Sequence, residues 1–136
     1  MIEEFINFPE IELVVRLILA FFLSGFVGFE REATHKPAGL RTHILVGLGS
    51  TLITILSLNA FPGSDSARVA ASIIVGIGFL GAGTIIKTKQ KVIGLTTAAS
   101  LWITASIGMA TGAGFYLIAI ITTILSYLVL KLGMFV

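Results

Sequence analysis

The densest group of chemically capable side chains lies in one short stretch: Glu30, Arg31, Glu32, His35, Lys36, Arg41 and His43, with Pro37 and Gly39 shaping a turn among them. Two carboxylates and two imidazoles so close together are the raw material of a metal site. Their spacing argues against one. Glu30 and Glu32 fall on different faces of any helix that carries both, and the histidines stand eight residues apart, which is not a zinc-ligand spacing. Magnesium takes oxygen ligands and is commonly held by one or two carboxylates, so Mg²⁺ stays open as a ligand with no metal residues assigned. The favoured reading is plainer: the charges hold a loop at the lipid headgroups.

Three further groupings invite a chemical reading. Glu12 and Arg16 are four residues apart with the acid first, the favourable order for a helical ion pair. Asp65 and Arg68 stand beside Ser64 and Ser66, which suit the N-cap of a following helix; pairing and anchoring compete there with a binding role. Thr96 and Thr97 open a charge-free run just after Lys87, Lys89 and Lys91. A helix N-terminus beside lysines would favour a phosphate or an anionic headgroup, although capping and topology account for the same residues and are preferred.

Gly76-Ile77-Gly78-Phe79-Leu80-Gly81 satisfies the GxGxxG expression of dinucleotide-binding turns. That mechanism needs an acid about 20 residues onward, and Asp65 is the last acid in the chain. The nucleotide reading is rejected. Gly76, Gly78, Gly81 and Gly83 are left with two roles: close helix contact, or a locally broken span whose freed backbone groups hold an ion at membrane depth. No Ser-His-acid set assembles and no cysteine exists, so neither a catalytic residue nor an enzymatic activity is expected. No acid lies in the middle of a span, which disfavours a carboxylate-lined cation path and leaves a backbone-lined one open.

The elements that must position these residues follow from composition. Of 136 residues, 56% are hydrophobic and only 12% charged, with a mean hydropathy of +1.04. Soluble domains carry about 25% charged residues, so this chain lacks the polar surface to cover a globule in water. A net charge of +2 dispersed over short loops does not suit nucleic acid, which needs clustered Lys and Arg. The acidic N-terminus, Met1 to Glu10, lacks the basic start of a signal peptide.

A membrane helix needs roughly 20 mainly apolar residues, and the runs between charges predict one transmembrane domain over residues 1–136. It is an all-α integral membrane bundle of about five helices, at approximately 11–29, 44–61, 69–86, 95–111 and 114–130. The last two come from a charge-free run of 39 residues, Val92 to Leu130, which is nearly twice the hydrocarbon thickness as one helix. It must fold back, and Gly112-Ala113-Gly114 is the hinge. Five spans put Arg31, Lys36, Arg41, Lys87, Lys89, Lys91 and Lys131 on one side, leaving Arg16 and Arg68 on the other. The positive-inside rule then places the N-terminus outside and the C-terminus in the cytoplasm.

Small residues recur every fourth position at Ala20, Ser24 and Gly28, and again at Ser100, Thr104, Gly108 and Gly112. Such stripes let membrane helices approach closely. Packing within one bundle is the favoured use, and an interface between subunits the sharper one.

In their order along the chain, RLILAFFLSGFVGFERE (16–32), AGLRTHILVG (38–47), DSARVAA (65–71), GIGFLGAG (76–83) and GLTTAASLW (94–102) resemble the MgtC/SapB family. The resemblance covers nearly the whole chain and implies a multi-pass protein of the bacterial inner membrane with about five spans and an outside N-terminus. It further implies links to magnesium limitation, acid stress and, in pathogens, virulence within host cells. Family members are often labelled transporters, yet the best-studied kind resembles a regulator that acts on other membrane proteins, including the F-type ATP synthase. Many add a soluble cytoplasmic domain after the last span, and many carry glutamine where Ser72 stands. The motif positions carried over are Glu30, Arg31, Arg41, Thr42, His43, Asp65, Arg68, Thr96 and Thr97, without agreed roles. The expected partners are the lipid bilayer, a second copy in a homo-oligomer (a dimer favoured) and other membrane proteins. A regulator of magnesium or stress physiology is the first reading, and a transporter or channel for a small ion such as Mg²⁺ the alternative.

Overall fold

A computed structural model describes residues 9–133. The acidic segment 1–8 and residues 134–136 lie outside the described residues, and with them the expected placement of both chain ends. Five helices run α1 (Pro9–Ala33), α2 (Leu40–Asn59), α3 (Ala67–Gly83), α4 (Leu95–Gly112) and α5 (Tyr116–Leu132). Between α3 and α4 sits a small antiparallel hairpin of β1 (Ile86–Lys87) and β2 (Val92–Ile93), with Ile86 opposite Ile93. Two helices, α1 and α2, are long and apolar enough to cross a membrane, and α3 and α5 are apolar but 17 residues each.

The helix count and the fold-back hold, while several boundaries move. α1 runs past residue 29 to Ala33, so Glu30, Arg31 and Glu32 are helical. α2 starts at Leu40, so Arg41, Thr42 and His43 occupy its first turn. Charge marks the end of a span only where it meets water or headgroups, and here two of these charges turn inward. α3 stops at Gly83, short of the expected residue 86, because Thr84 and Ile85 lead into the hairpin. The reversal at Gly112-Ala113-Gly114 is where the glycines place it, with Gly114 in the left-handed region at φ 87°.

The expected helix caps are corrected too. Ser66 caps α3 by position but makes no side-chain capping bond, and the Asp65 carboxylate instead accepts the Ala67 N–H at 2.9 Å. α4 is capped by Gly94 at φ 96°, not by Thr96 or Thr97. Only glycine fits there: the backbone is left-handed, and a Cβ would run into the Thr84 carbonyl.

α4 is the hub and packs on all four other helices, whereas α3 rests on α4 and touches α2 only lightly. The small-residue stripes build these contacts. Gly28 of α1 faces Leu40 and His43, and Ser24 sits where a side chain on Gly47 would be. A Cβ on Gly108 would stand 2.6 Å from the Gly47 carbonyl oxygen, and one on Gly112 2.7 Å from that of Thr51. Backbones this close let hydroxyls bridge the helices. Ser50 Oγ donates to the Ala105 carbonyl at 2.6 Å, and Thr51 Oγ1 is 2.9 Å from that of Gly108. Ala20, Ser24, Ser100 and Thr104 are buried in the same seams. The stripes thus serve packing within the bundle, and the outer surface is left to large apolar residues such as Phe22, Phe29, Leu45 and Phe79.

Candidate functional site

The first candidate is a polar cluster where the end of α1 meets the starts of α2 and α4. Glu30, Arg31 and His43 are 2%, 3% and 0% exposed, and Thr97 and Ser100 are buried beside them. Arg31 Nη1 lies 3.4 Å from Glu30 Oε2, and Nη2 lies 3.4 Å from Thr97 Oγ1. Both contacts are long for a charge-assisted pair, and the buried Arg31 Nε has no hydrogen-bond partner among the described residues. His43 Nδ1 meets the Gly39 carbonyl at 2.8 Å, and Nε2 meets Ser100 Oγ at 2.9 Å. Ser100 Oγ also stands 2.7 Å from the Thr97 carbonyl.

Proton counting makes this cluster two-state. The Gly39 carbonyl can only accept, so Nδ1 carries a proton. With a neutral ring, the single Ser100 hydroxyl proton goes either to Nε2 or to the Thr97 carbonyl. With an imidazolium, Nε2 donates to Ser100 and both contacts are satisfied. The histidine and the α4 start are therefore coupled through one hydroxyl rotor. His43 and Ser100 are 57 residues apart in sequence, and no local pattern announces the pairing.

A second polar group closes the opposite end. Arg16 Nη2 binds Glu12 Oε1 at 2.6 Å, as the four-residue spacing predicts. The guanidinium also reaches the Gly112 carbonyl at 2.7 Å and the Tyr116 hydroxyl at 3.1 Å, and Tyr116 donates to Glu12 Oε1 at 3.1 Å. Sequence reasoning found the pair and missed Tyr116, which ties the start of α1 to the α4–α5 turn.

The remaining predicted residues are not gathered into one site. Asp65 caps α3, and no ion pair joins it to Arg68, which is exposed. Glu32 points away from Glu30 and accepts the Leu40 N–H at 2.9 Å. Arg41 and Thr96 are exposed, and the three lysines stand exposed on the hairpin. Among the described residues, no three His, Asp or Glu side chains converge as a metal site would require.

The glycine run holds a different feature from the one its spacing suggests. α3 is helical from end to end through Gly76, Gly78, Gly81 and Gly83, so it frees no backbone groups for an ion. Gly81 packs on Ala98, whereas Gly76, Gly78 and Gly83 have open space where a Cβ would stand. Gly76 and Gly49 face a lateral groove of about 540 Å³ between α2 and α3, floored by Ala105 of α4. Its walls are Leu45, Val46, Ile53, Ile73, Ile77 and Leu80, with Thr42, Ser50 and Ser72. Two of the three polar groups in the wall are occupied, since Ser50 bonds Ala105 and Ser72 Oγ bonds the Arg68 carbonyl at 2.9 Å. A second hollow of about 480 Å³ shares Thr42 and Leu80 and reaches Pro37, Gly83 and Thr84 at the hairpin end. The groove exists because α3 leans on α4 and not on α2, which no local pattern announces.

Known proteins match most of this chain. YhiD of Escherichia coli (strain K12), named as a candidate magnesium transporter, is 44% identical over 128 residues, covering 88% of this chain and 60% of that protein. Protein MgtC of Brucella abortus (strain 2308) is 47% identical over 105 residues, covering 77% and 44%. Protein SapB of Bacillus subtilis (strain 168) is 43% identical over 114 residues, covering 77% and 49%. The chain thus spans about half the length of these curated relatives. No solved structure matches. The MgtC family profile matches residues 17–136, a region that takes in the buried cluster, the groove and the hairpin alike, and the chain belongs to the MgtC family.

Proposed function

We propose that this chain is a multi-pass protein of the bacterial inner membrane, with its N-terminus outside and its C-terminus cytoplasmic. In this reading it serves magnesium homeostasis or stress adaptation by acting on other membrane components, not by conducting an ion itself. The membrane part of the reading is supported by the apolar exterior, where Phe79 is 83% exposed. Apolar surface of that extent is otherwise an interaction site or an aggregation hazard in water. The orientation is supported by the ends of the helices. Contacts of Arg31 with Thr97, His43 with Ser100, and Phe26 with Tyr127 at a ring separation of 4.3 Å put the basic segments at one end of the bundle. Lys and Arg mark the cytoplasmic side.

The single observation that carries the regulatory reading is the closure of the α1–α2–α4 seams. Backbone meets backbone at Gly47 and Gly108, and the hydroxyls of Ser24, Ser50, Thr51 and Thr104 are bound to carbonyls. A pore needs wall groups free to replace an ion's hydration shell, and these are already engaged. What the bundle offers its surroundings is its outer surface: the lateral groove, the hairpin and the apolar flanks. Lipid, a second copy in a dimer, or another membrane protein such as the F-type ATP synthase would be met there.

The name borne by the Escherichia coli relative favours a second reading, a carrier for Mg²⁺. Flux separates the two. Purified protein in liposomes is expected to show no saturable Mg²⁺ uptake above protein-free vesicles. Saturable uptake that Asp65→Asn reduces would replace the regulatory reading with the carrier.

A further inference from the structure

The geometry points to the α2–α3 groove as a binding site for one anionic phospholipid of the leaflet on the basic side. An acyl chain lies in the groove, and the phosphate sits at its hairpin end. The inference rests on the membrane residence proposed above and adds a ligand to it.

Length is the first argument. The groove follows α2 from Thr42 to Ile53, about 16 Å of helix at 1.5 Å per residue. That is close to half the roughly 30 Å hydrocarbon core, the depth of one leaflet. The wall is smooth on both sides because Gly49 and Gly76 carry no side chain and nothing stands within 4 Å of either Cβ position. An extended chain fits such a slot, and its opening faces the lipid.

Charge is the second argument. Arg41 stands one turn before Leu45 on the stripe that continues through Gly49 and Ile53. At the same end, Thr84 lines the hollow and leads directly into the hairpin with Lys87, Lys89 and Lys91, while Lys36 precedes the lining Pro37. The two acids nearby are engaged, Glu30 with Arg31 and Glu32 with the Leu40 N–H. The groove thus ends in an excess of cations, and basic pockets between membrane helices on the cytoplasmic side hold anionic headgroups.

The test uses the chain in nanodiscs of equal parts phosphatidylglycerol and phosphatidylcholine, with retained lipids counted by native mass spectrometry. Wild type is expected to keep phosphatidylglycerol over phosphatidylcholine by about tenfold, equal to about 1.4 kcal/mol. Gly76→Leu should abolish retention, because it fills the groove. Gly78→Leu makes the same change on the same helix outside the groove and should leave retention intact. Arg41→Gln should keep a lipid but lose the preference. Equal retention by both glycine variants, or no preference in wild type, overturns the proposal. So does a dimer that Gly76→Leu splits with lipid counts unchanged, which would make a second copy the occupant. Carbonate extraction from native membranes is run in parallel. A chain that resists extraction but holds no preferred lipid fails this inference alone, and one that is extracted fails the membrane reading beneath it.

Discussion

Replacing Gly108 by alanine tests whether α2 and α4 meet as closely as their backbones indicate. The new Cβ would stand 2.6 Å from the Gly47 carbonyl oxygen and 2.9 Å from Ser50 Cβ, where ordinary contact begins at 3.4 Å. Neither neighbour is the free end of a flexible side chain, so the helices themselves must part by nearly an ångström. Overpacking of this kind costs about 1–3 kcal/mol. Parting also stretches the Thr51 bond to Gly108 and the Ser50 bond to Ala105, and interhelical bonds in membranes contribute about 0.6 kcal/mol each on average. Against this, alanine in a helix interior is favoured over glycine by about 1 kcal/mol. The balance is a loss of about 1–3 kcal/mol. The assay is reversible unfolding in bicelles, with Gly76→Ala as the reference. Gly76 has nothing within 4 Å of its Cβ position, so it keeps the propensity gain and should be stabilised by up to about 1 kcal/mol. If Gly108→Ala gains stability as Gly76→Ala does, the close crossing of α2 and α4 is wrong, and the closed seam behind the regulatory reading falls with it.

Two more substitutions probe the basic end. Arg31→Met should destabilise the fold by about 3–5 kcal/mol, because it leaves the 2%-exposed Glu30 without a partner. Adding Glu30→Gln should recover part of the loss, and a double variant no better than the single one would show that the pair is not coupled. Gly94→Ala should unseat the hairpin, since the backbone is left-handed and a Cβ meets the Thr84 carbonyl. Trypsin should then cut faster after Lys87, Lys89 and Lys91 in the variant than in wild type, and equal rates would refute the tight closure.

The helices were legible because long charge-free runs leave few alternatives, and Gly112-Ala113-Gly114 showed where the last run turns. The small-residue stripes were legible as contact surfaces for the same reason: a four-residue period of Ala, Ser and Gly has no use on a helix that touches only lipid. What the pattern hid was the inward turn of charge. Glu30 and Arg31 read as the start of a loop because a charge at a span end normally meets headgroups. Their burial depends on Thr97 and His43, which arrive from helices far along the chain. The hairpin was hidden by its brevity, as two residues per strand are too few to alternate visibly. The groove was least legible, since it arises from a contact α3 does not make. Its glycines had two readings in sequence, close packing or a broken helix, and Gly76 serves neither. There the missing side chain leaves room in a continuous helix wall. The distinction matters for function, because a broken span would offer backbone to an ion, whereas a smooth span beside a gap offers apolar surface to a chain or a helix. The same glycine-rich motif therefore argues for opposite activities depending on whether its backbone hydrogen bonds are intact, and in α3 they are.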